Sequence, residues 1–434
     1  MKKNNIFQLL LTICIIILSG CTNAQQTTQA TENTTVTESI MFIEFDTNYA
    51  FINYDTNHLF IGRDTSAFRK LAAKWDAAIS GNGNLSIMQI GASHVQGGTF
   101  PHRVRRNILT QFSEAVADRG MIFPYSAAVK CNNPYDYKVS RSHDLTLTRN
   151  VYKEPAERLG LCGIAVTAEN DTVEIGIKLN EPEINFATNR IILLGEARGG
   201  IVPLIKLTDI DNNEVIRQPI EVDTILRRYT YDLGQAVDSF RIYLPCSEGQ
   251  SFAITGVYLA NGAPGISFHS IGVNGAALGD YINKCPYFKQ DLELLKPDLV
   301  IFGIGINDAS GNNFDTIAFR KRYKQLIDSI RSVNPDCAFI FVTNNDSFRR
   351  VKRSHVCNEN APLAREAFFR IAEDCGGAVW DQFVVMGGLG SMKTWQNNNL
   401  AQRDHIHFTR KGYEILGDLL SNAIFEMLLN LSRQ

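Results

Sequence analysis

The spacing of apolar residues changes twice along this chain, and the changes divide it. Phe68, Leu71, Ala72, Trp75 and Ile79 fall on one face of a helix, with Asp64 or Thr65 placed to cap it. An apolar run from Leu85 to Ile90 stops at Gly91, and Phe100, Val104, Ile108, Leu109 and Phe112 mark a second amphipathic stretch. From about Ser142 to Ala263 the period drops to two. There Val173, Ile175, Ile177 and Leu179 alternate with polar residues, and Ile191 to Leu194, Val202 to Leu207 and Phe240 to Leu244 read as further strands. Asp211-Asn212-Asn213 supplies a turn between two of them.

From Cys285 onward, strands and helices alternate again. Leu299 to Phe302, Ala338 to Val342 and Ala378 to Val379 are predicted strands. Phe319, Tyr323, Leu326, Ile327 and Ile330 mark a helix, Leu363 to Ala372 another, and a long one follows Gly412. Continuous apolar strands between helices build a parallel sheet covered on both faces. The pattern predicts an α/β domain over residues 39–141 and 264–434, interrupted by a β-sandwich at 142–263. A short strand is also expected over Met41 to Phe45.

The start of the chain has a different character. Lys2 and Lys3 precede an apolar run from Ile6 to Leu18, too short to span a bilayer comfortably and followed by Ser19-Gly20-Cys21. Residues 1–20 read as a secretion signal, and its ending resembles a bacterial lipobox, in which the cysteine, here Cys21, carries the lipid. An ordinary cleaved signal is the alternative. Thr22 to Glu38 has only Val36 as a large apolar residue, so residues 21–38 read as a disordered tether. Its reach is about 20–25 Å. The expected location is the cell envelope, on the periplasmic side, anchored to the membrane by lipid. Without Lys2 and Lys3 the net charge moves from −2 to −4, which gives no reason to expect nucleic acid as a partner. The cysteines after Cys21 form no CxxC pair and the eight histidines show no metal-ligand spacing, so a zinc site is not expected.

Four short segments follow strands or precede the last helix, where open α/β sheets place their ligands. In Gly91-Ala92-Ser93, the serine sits on a sharp turn before a helix. It is either a helix cap or a nucleophile near free backbone N–H groups. Gly275 lies in the loop after Ile271. Asn307, in Gly305-Ile306-Asn307-Asp308, could donate to an oxyanion or close an Asx-turn. Asp404 and His407 lie three apart on a tight loop, where the carboxylate can hold the imidazole in the tautomer that a serine needs. Phe408, Thr409 and Tyr413 would fix that loop as a staple and cap at the last helix, and His405 is read as a surface histidine.

Taken in order, these four segments resemble the blocks of the SGNH (GDSL-type) hydrolases, over about residues 85–130 and 265–425. The resemblance implies a flavodoxin-like α/β fold with Ser93 as nucleophile and His407 as base, oriented by Asp404. It further implies an oxyanion hole from Ser93, the Gly275 backbone and the Asn307 side chain, and neither a metal nor a cofactor. One position departs from the family: Ala92 stands where an aspartate is usual. The β-sandwich between the first two blocks resembles bacterial peptidoglycan O-acetylesterases, whose inserted module is like a carbohydrate-binding domain. Phe123-Pro124-Tyr125, Asn132-Asn133-Pro134 and Met386-Gly387-Gly388 with Trp395 point the same way. The implied partner is an O-acetylated glycan, and the implied activity is serine-dependent removal of its acetyl groups. Two other readings stay open: an esterase or acetyltransferase on another polysaccharide, and a glycan-binding lipoprotein whose site Ala92 has weakened.

Overall fold

The computed structural model describes residues 40–433 except 130, 181–182 and 352–353, so Cys21, the signal and the tether lie outside the described residues. Six strands form the main sheet: β1 (Leu59–Ile61), β2 (Asn84–Gly91), β3 (Gly265–Gly272), β4 (Leu299–Gly303), β5 (Ala338–Val342) and β6 (Ala378–Trp380). Their spatial order is β1-β6-β5-β4-β2-β3. Neighbours run parallel except the edge strand β1, which is antiparallel to β6. Numbered along the chain, the five parallel strands stand in the flavodoxin-like order 2-1-3-4-5. The direction of winding reverses at β2, which has β3 on one side and β4 on the other.

The apolar runs of β4 and β5 are buried along their length, as strands covered on both faces must be. The covering helices include α1 (Ser66–Ile79), α2 (Ser93–Gln96), α3 (Thr99–Gln111), α4 (Leu278–Lys284), α5 (Phe288–Leu295), α6 (Thr316–Arg331), α7 (Asn360–Cys375), α8 (Gln382–Val385), α9 (Ser391–Asn397) and α10 (Arg410–Ser432). The buried face of α1 contains the predicted stripe of Phe68, Leu71, Ala72, Trp75 and Ile79. Asp64, rather than the side chain of Thr65, takes up a free N–H at its start: Oδ1 accepts from Ser66 N at 2.9 Å. Thr409 Oγ1 caps α10 by accepting from Gly412 N at 3.3 Å, and the Phe408 and Tyr413 rings meet at 5.4 Å as the expected staple.

Two expectations need correction. Met41 to Phe45 is not a strand. Side-chain amides supply the donors and acceptors that a neighbouring strand would: Gln111 bonds both N and O of Met41 at 2.9 Å. Asn422 does the same for Ile43 at 2.8 and 2.9 Å. The antiparallel sheets also begin before residue 142. Strand Gly120–Ile122 pairs with Ser251–Ala260, and strand Tyr137–Arg141 pairs with Thr172–Leu179. These pieces are too short for their alternation to stand out in sequence.

The β part consists of two antiparallel sheets, one of five strands and one of seven. Val173, Ile175, Ile177 and Leu179 point into its core, as their period of two requires. It is fastened to the α/β part by a buried ion pair. Arg227, on a turn of the β part, reaches Asp291 on α5 at 3.0 Å, and both side chains are buried. The guanidinium lies over the Tyr287 ring at 3.5 Å, and Leu161 N donates to the other Asp291 oxygen at 3.0 Å. Arg228 also donates to Gln290 O at 2.8 Å. All seven cysteines from Cys131 to Cys375 are free thiols.

Removing one member of a buried pair leaves the other charge uncompensated. Asp291→Ala is expected to destabilise the protein by about 3–5 kcal/mol, read from urea unfolding. The double change Arg227→Met with Asp291→Leu should lose less than Asp291→Ala alone.

Candidate active site

The site is built at the carboxyl ends of β3, β2 and β4, where the winding reverses. Gly91, the last residue of β2, lies opposite Gly272 on one side and Gly303 on the other. The loops that leave these three positions carry Ser93, Gly275 and Asn307 respectively. Side chains would not fit at the turn itself. A Cβ on Gly91 would collide with Val95 and Gly303 O, and one on Gly272 with Gln96 N and Ala92 O.

Ser93 opens α2, whose first turn is closed by Val95 N and Gln96 N donating to Ala92 O. Its Oγ lies 2.8 Å from His407 Nε2, and His407 Nδ1 lies 2.7 Å from Asp404 Oδ2. An ionised carboxylate can only accept, so Nδ1 carries the proton and Nε2 is left to accept from the serine. Asp404 is itself fixed by its loop: Oδ1 accepts from Ile406 N at 2.9 Å and His407 N at 3.0 Å. Burial pushes its pKa up, but bonds from the His407 ring and these two amides outweigh that and hold it below the usual carboxylate range. His405 takes a left-handed backbone conformation (φ 57°), which turns the chain tightly enough for Asp404 to reach His407. The His405 ring is not a free surface group, because it packs on Phe348 at 4.9 Å and His355 at 5.6 Å.

Gly275 has φ 85°, a conformation that favours glycine although the space beside it would admit a side chain. Asn307 Nδ2 donates one hydrogen to Ala276 O at 2.9 Å, which ties the loop after β4 to the loop after β3. The second hydrogen of that amide remains to be given.

Ala92 is buried. The turn is anchored by other residues: Gln96 Oε1 accepts from Asn274 N at 2.6 Å, and Tyr281 OH donates to Gly91 O at 3.0 Å. Tyr125 OH donates to Gly272 O at 3.0 Å. The sequence reading did not single out Gln96 or Tyr281. It also passed over Asn345 and Asp346, which follow β5 and are buried. Asn345 Nδ2 donates to Ile406 O at 3.0 Å, and Phe348 N to His405 O at 3.0 Å, so this loop cradles the one that carries His407. The available signal was a polar run, Thr343 to Ser347, directly after an apolar strand. Asp346 Oδ2 accepts from Met392 N at 2.9 Å, and Trp395 Nε1 donates to Met386 O at 2.9 Å, which joins the Met386-Gly387-Gly388 segment to the same support. Among the described residues, no three His, Cys, Asp or Glu side chains gather as they would around a metal ion.

Residues 248–415 match the model of the GDSL-like lipase/acylhydrolase family. The match takes in Gly275, Asn307, Asp404 and His407, and β2 with its turn adds Ser93. The α/β domain has an SGNH-like hydrolase fold. A solved structure described as a peptidoglycan O-acetylesterase in action is 21% identical, with a TM-score of 0.69 over 86% of this chain and 99% of that one. At that identity the likeness establishes the fold, including the additional β part. An acetyl xylan esterase, AlAXEase, is 18% identical, with a TM-score of 0.30 over 37% of this chain and 81% of that one. A family two carbohydrate esterase from Cellvibrio japonicus is 10% identical, with a TM-score of 0.27 over 67% and 98%. No curated protein matches the chain in sequence.

Asp308, beside Asn307, holds the start of α4: its Oδ2 accepts from Leu278 N at 3.1 Å. Burial raises its pKa to about 6, against the pull of that N–H and of Arg322. Between about pH 4 and pH 6 the unfolded chain has lost this proton while the folded protein keeps it, so stability falls as pH rises through that window. Asp308→Asn keeps an acceptor and removes the ionisation. It should match wild type near pH 4 and exceed it by about 2 kcal/mol at pH 8, read from unfolding at both values.

Proposed function

We propose that this chain is an SGNH-type serine esterase of the cell envelope that removes O-acetyl groups from peptidoglycan. The observation that carries the proposal is the line Ser93–His407–Asp404, with hydrogen bonds of 2.8 and 2.7 Å on loops held from several sides. In this reading His407 Nε2 takes the hydroxyl proton as Ser93 Oγ attacks the acetyl carbonyl. The Ser93 and Gly275 amides and the remaining Asn307 N–H donate to the oxyanion. His407 then gives its proton to the departing sugar oxygen. Water, activated by the same imidazole, hydrolyses the acetyl-enzyme and frees acetate and Ser93. Asp404, held ionised by its own loop, keeps Nδ1–H in place throughout. Each step moves one proton between serine, imidazole and an oxygen, and none needs a metal.

The choice of peptidoglycan draws on the likeness to the peptidoglycan O-acetylesterase over nearly its whole length, together with the secretion signal and Cys21, which would hold the enzyme at the envelope membrane. The Gln96, Tyr281 and Tyr125 bonds argue that the turn is firm without an acid at position 92, which speaks against a site reduced to binding alone.

Acetate release from O-acetylated peptidoglycan, compared with acetylated xylan and with an added sugar acceptor, tests reaction and substrate together. Peptidoglycan is expected to be turned over fastest, with free acetate as the product. Faster release from xylan, or acetyl transfer to the acceptor, would contradict the proposal. Ser93→Ala should lower kcat by roughly 10⁴–10⁶-fold. Asn307→Ala should lower it by roughly 10²–10³-fold with a smaller change in KM, because the donor is needed only once the oxygen is negative.

A further inference from the structure

The geometry points to a second link across the catalytic gap: we propose that His94 and Tyr413 form a positioning clamp that sets the register of Ser93 against His407. The inference rests on the esterase reading above and adds two residues to it. His94 directly follows Ser93 in α2, and Tyr413 lies in the first turn of α10, just past His407. His94 Nδ1 stands 2.7 Å from Tyr413 Oη. This bond joins positions 319 apart and the Ser93–His407 bond joins positions 314 apart, so the two run side by side between the same two segments.

The rings around the link leave little freedom. His94 packs on His407 with centroids 5.2 Å apart, on Tyr413 at 5.7 Å and on Phe408 at 6.1 Å. A serine on one loop and a base on another react only while their separation holds, and a displacement of about 1 Å can cost about 10²-fold in rate. The catalytic bond cannot supply that rigidity, because it must break and reform in each turnover. A neighbouring bond that takes no part in the chemistry can. His94 is poorly suited to act as a second base, since burial and the nearby His407 push its pKa down to about 3. Being neutral, it also places no positive charge beside His407 when that ring takes the serine proton.

The test separates the hydrogen bond from the packing. Tyr413→Phe keeps the ring of the staple with Phe408 and loses only the hydroxyl. On a small acetyl ester it should lower kcat by roughly 10-fold and leave KM within about two-fold. His94→Phe should behave alike, and the double variant should be no slower than the slower single one, as expected when two residues act as a unit. His94→Asn, which keeps a polar atom near the position of Nδ1, should recover part of the rate. A crystal structure of Tyr413→Phe should show Ser93 Oγ and His407 Nε2 farther apart than about 3.5 Å, beyond hydrogen bonding. A kcat for Tyr413→Phe within about two-fold of wild type, additive losses in the double variant, or an unchanged Ser93–His407 distance would each overturn the clamp. If wild type and Ser93→Ala are equally inactive, the esterase reading fails, and the crystal distance still decides the clamp.

Discussion

The hydrogen bond between Ser93 and His407 crosses 314 positions of sequence, and most of the architecture described above bears on it. Neither residue sits on a long element. Ser93 is on a tight turn after β2, and His407 is on a loop before α10. Their meeting depends on the winding of the sheet, which brings the end of β2 between β3 and β4. It also depends on the cradle after β5, where Asn345 and Phe348 hold the His407 loop by its carbonyls. The serine turn is packed so closely that glycine is required at Gly91 and Gly272. Backbone meets backbone there, and position follows from contact.

The β part interrupts the α/β domain between β2 and β3, two strands that must pair along their whole length for the site to form. That pairing sets a constraint on the interruption, because both its ends must return to one place in the sheet. Strand Gly120–Ile122 joins the larger antiparallel sheet before the interruption proper, and the buried Arg227–Asp291 pair ties its far turn to α5. Arg106 on α3 pairs with Glu183, and Tyr287 N donates to Leu159 O at 3.2 Å, so the β part is braced against the α/β part at several places.

Much of the fold was legible in the sequence because the strands beneath the site are apolar throughout and the helices keep a clean period. The four blocks were legible because Ser93, Gly275, Asn307, Asp404 and His407 each stand beside a strand end or a helix start. What could not be read was support that runs through space. Gln96 bonding to Asn274, Tyr281 to the carbonyl of Gly91, and His94 to Tyr413 are contacts between residues whose separation in sequence carries no signal. The Met41 to Phe45 expectation failed for a related reason. Its backbone is paired, but by the amides of Gln111 and Asn422, and periodicity cannot distinguish a side chain from a strand as partner. The serine turn, where Ala92 replaces the usual acid, is held by the bonds of Gln96, Tyr281 and Tyr125.

The central claim is that Ser93 carries the acetyl group between substrate and water. Rapid acid quench of the enzyme during turnover of O-acetylated peptidoglycan, followed by peptide mass spectrometry, tests it most directly. An acetyl group on the Ser93 hydroxyl, present during turnover and gone once substrate is exhausted, is the predicted result. Acetate release with Ser93 never acetylated, or with the acetyl group on another side chain, would contradict the account.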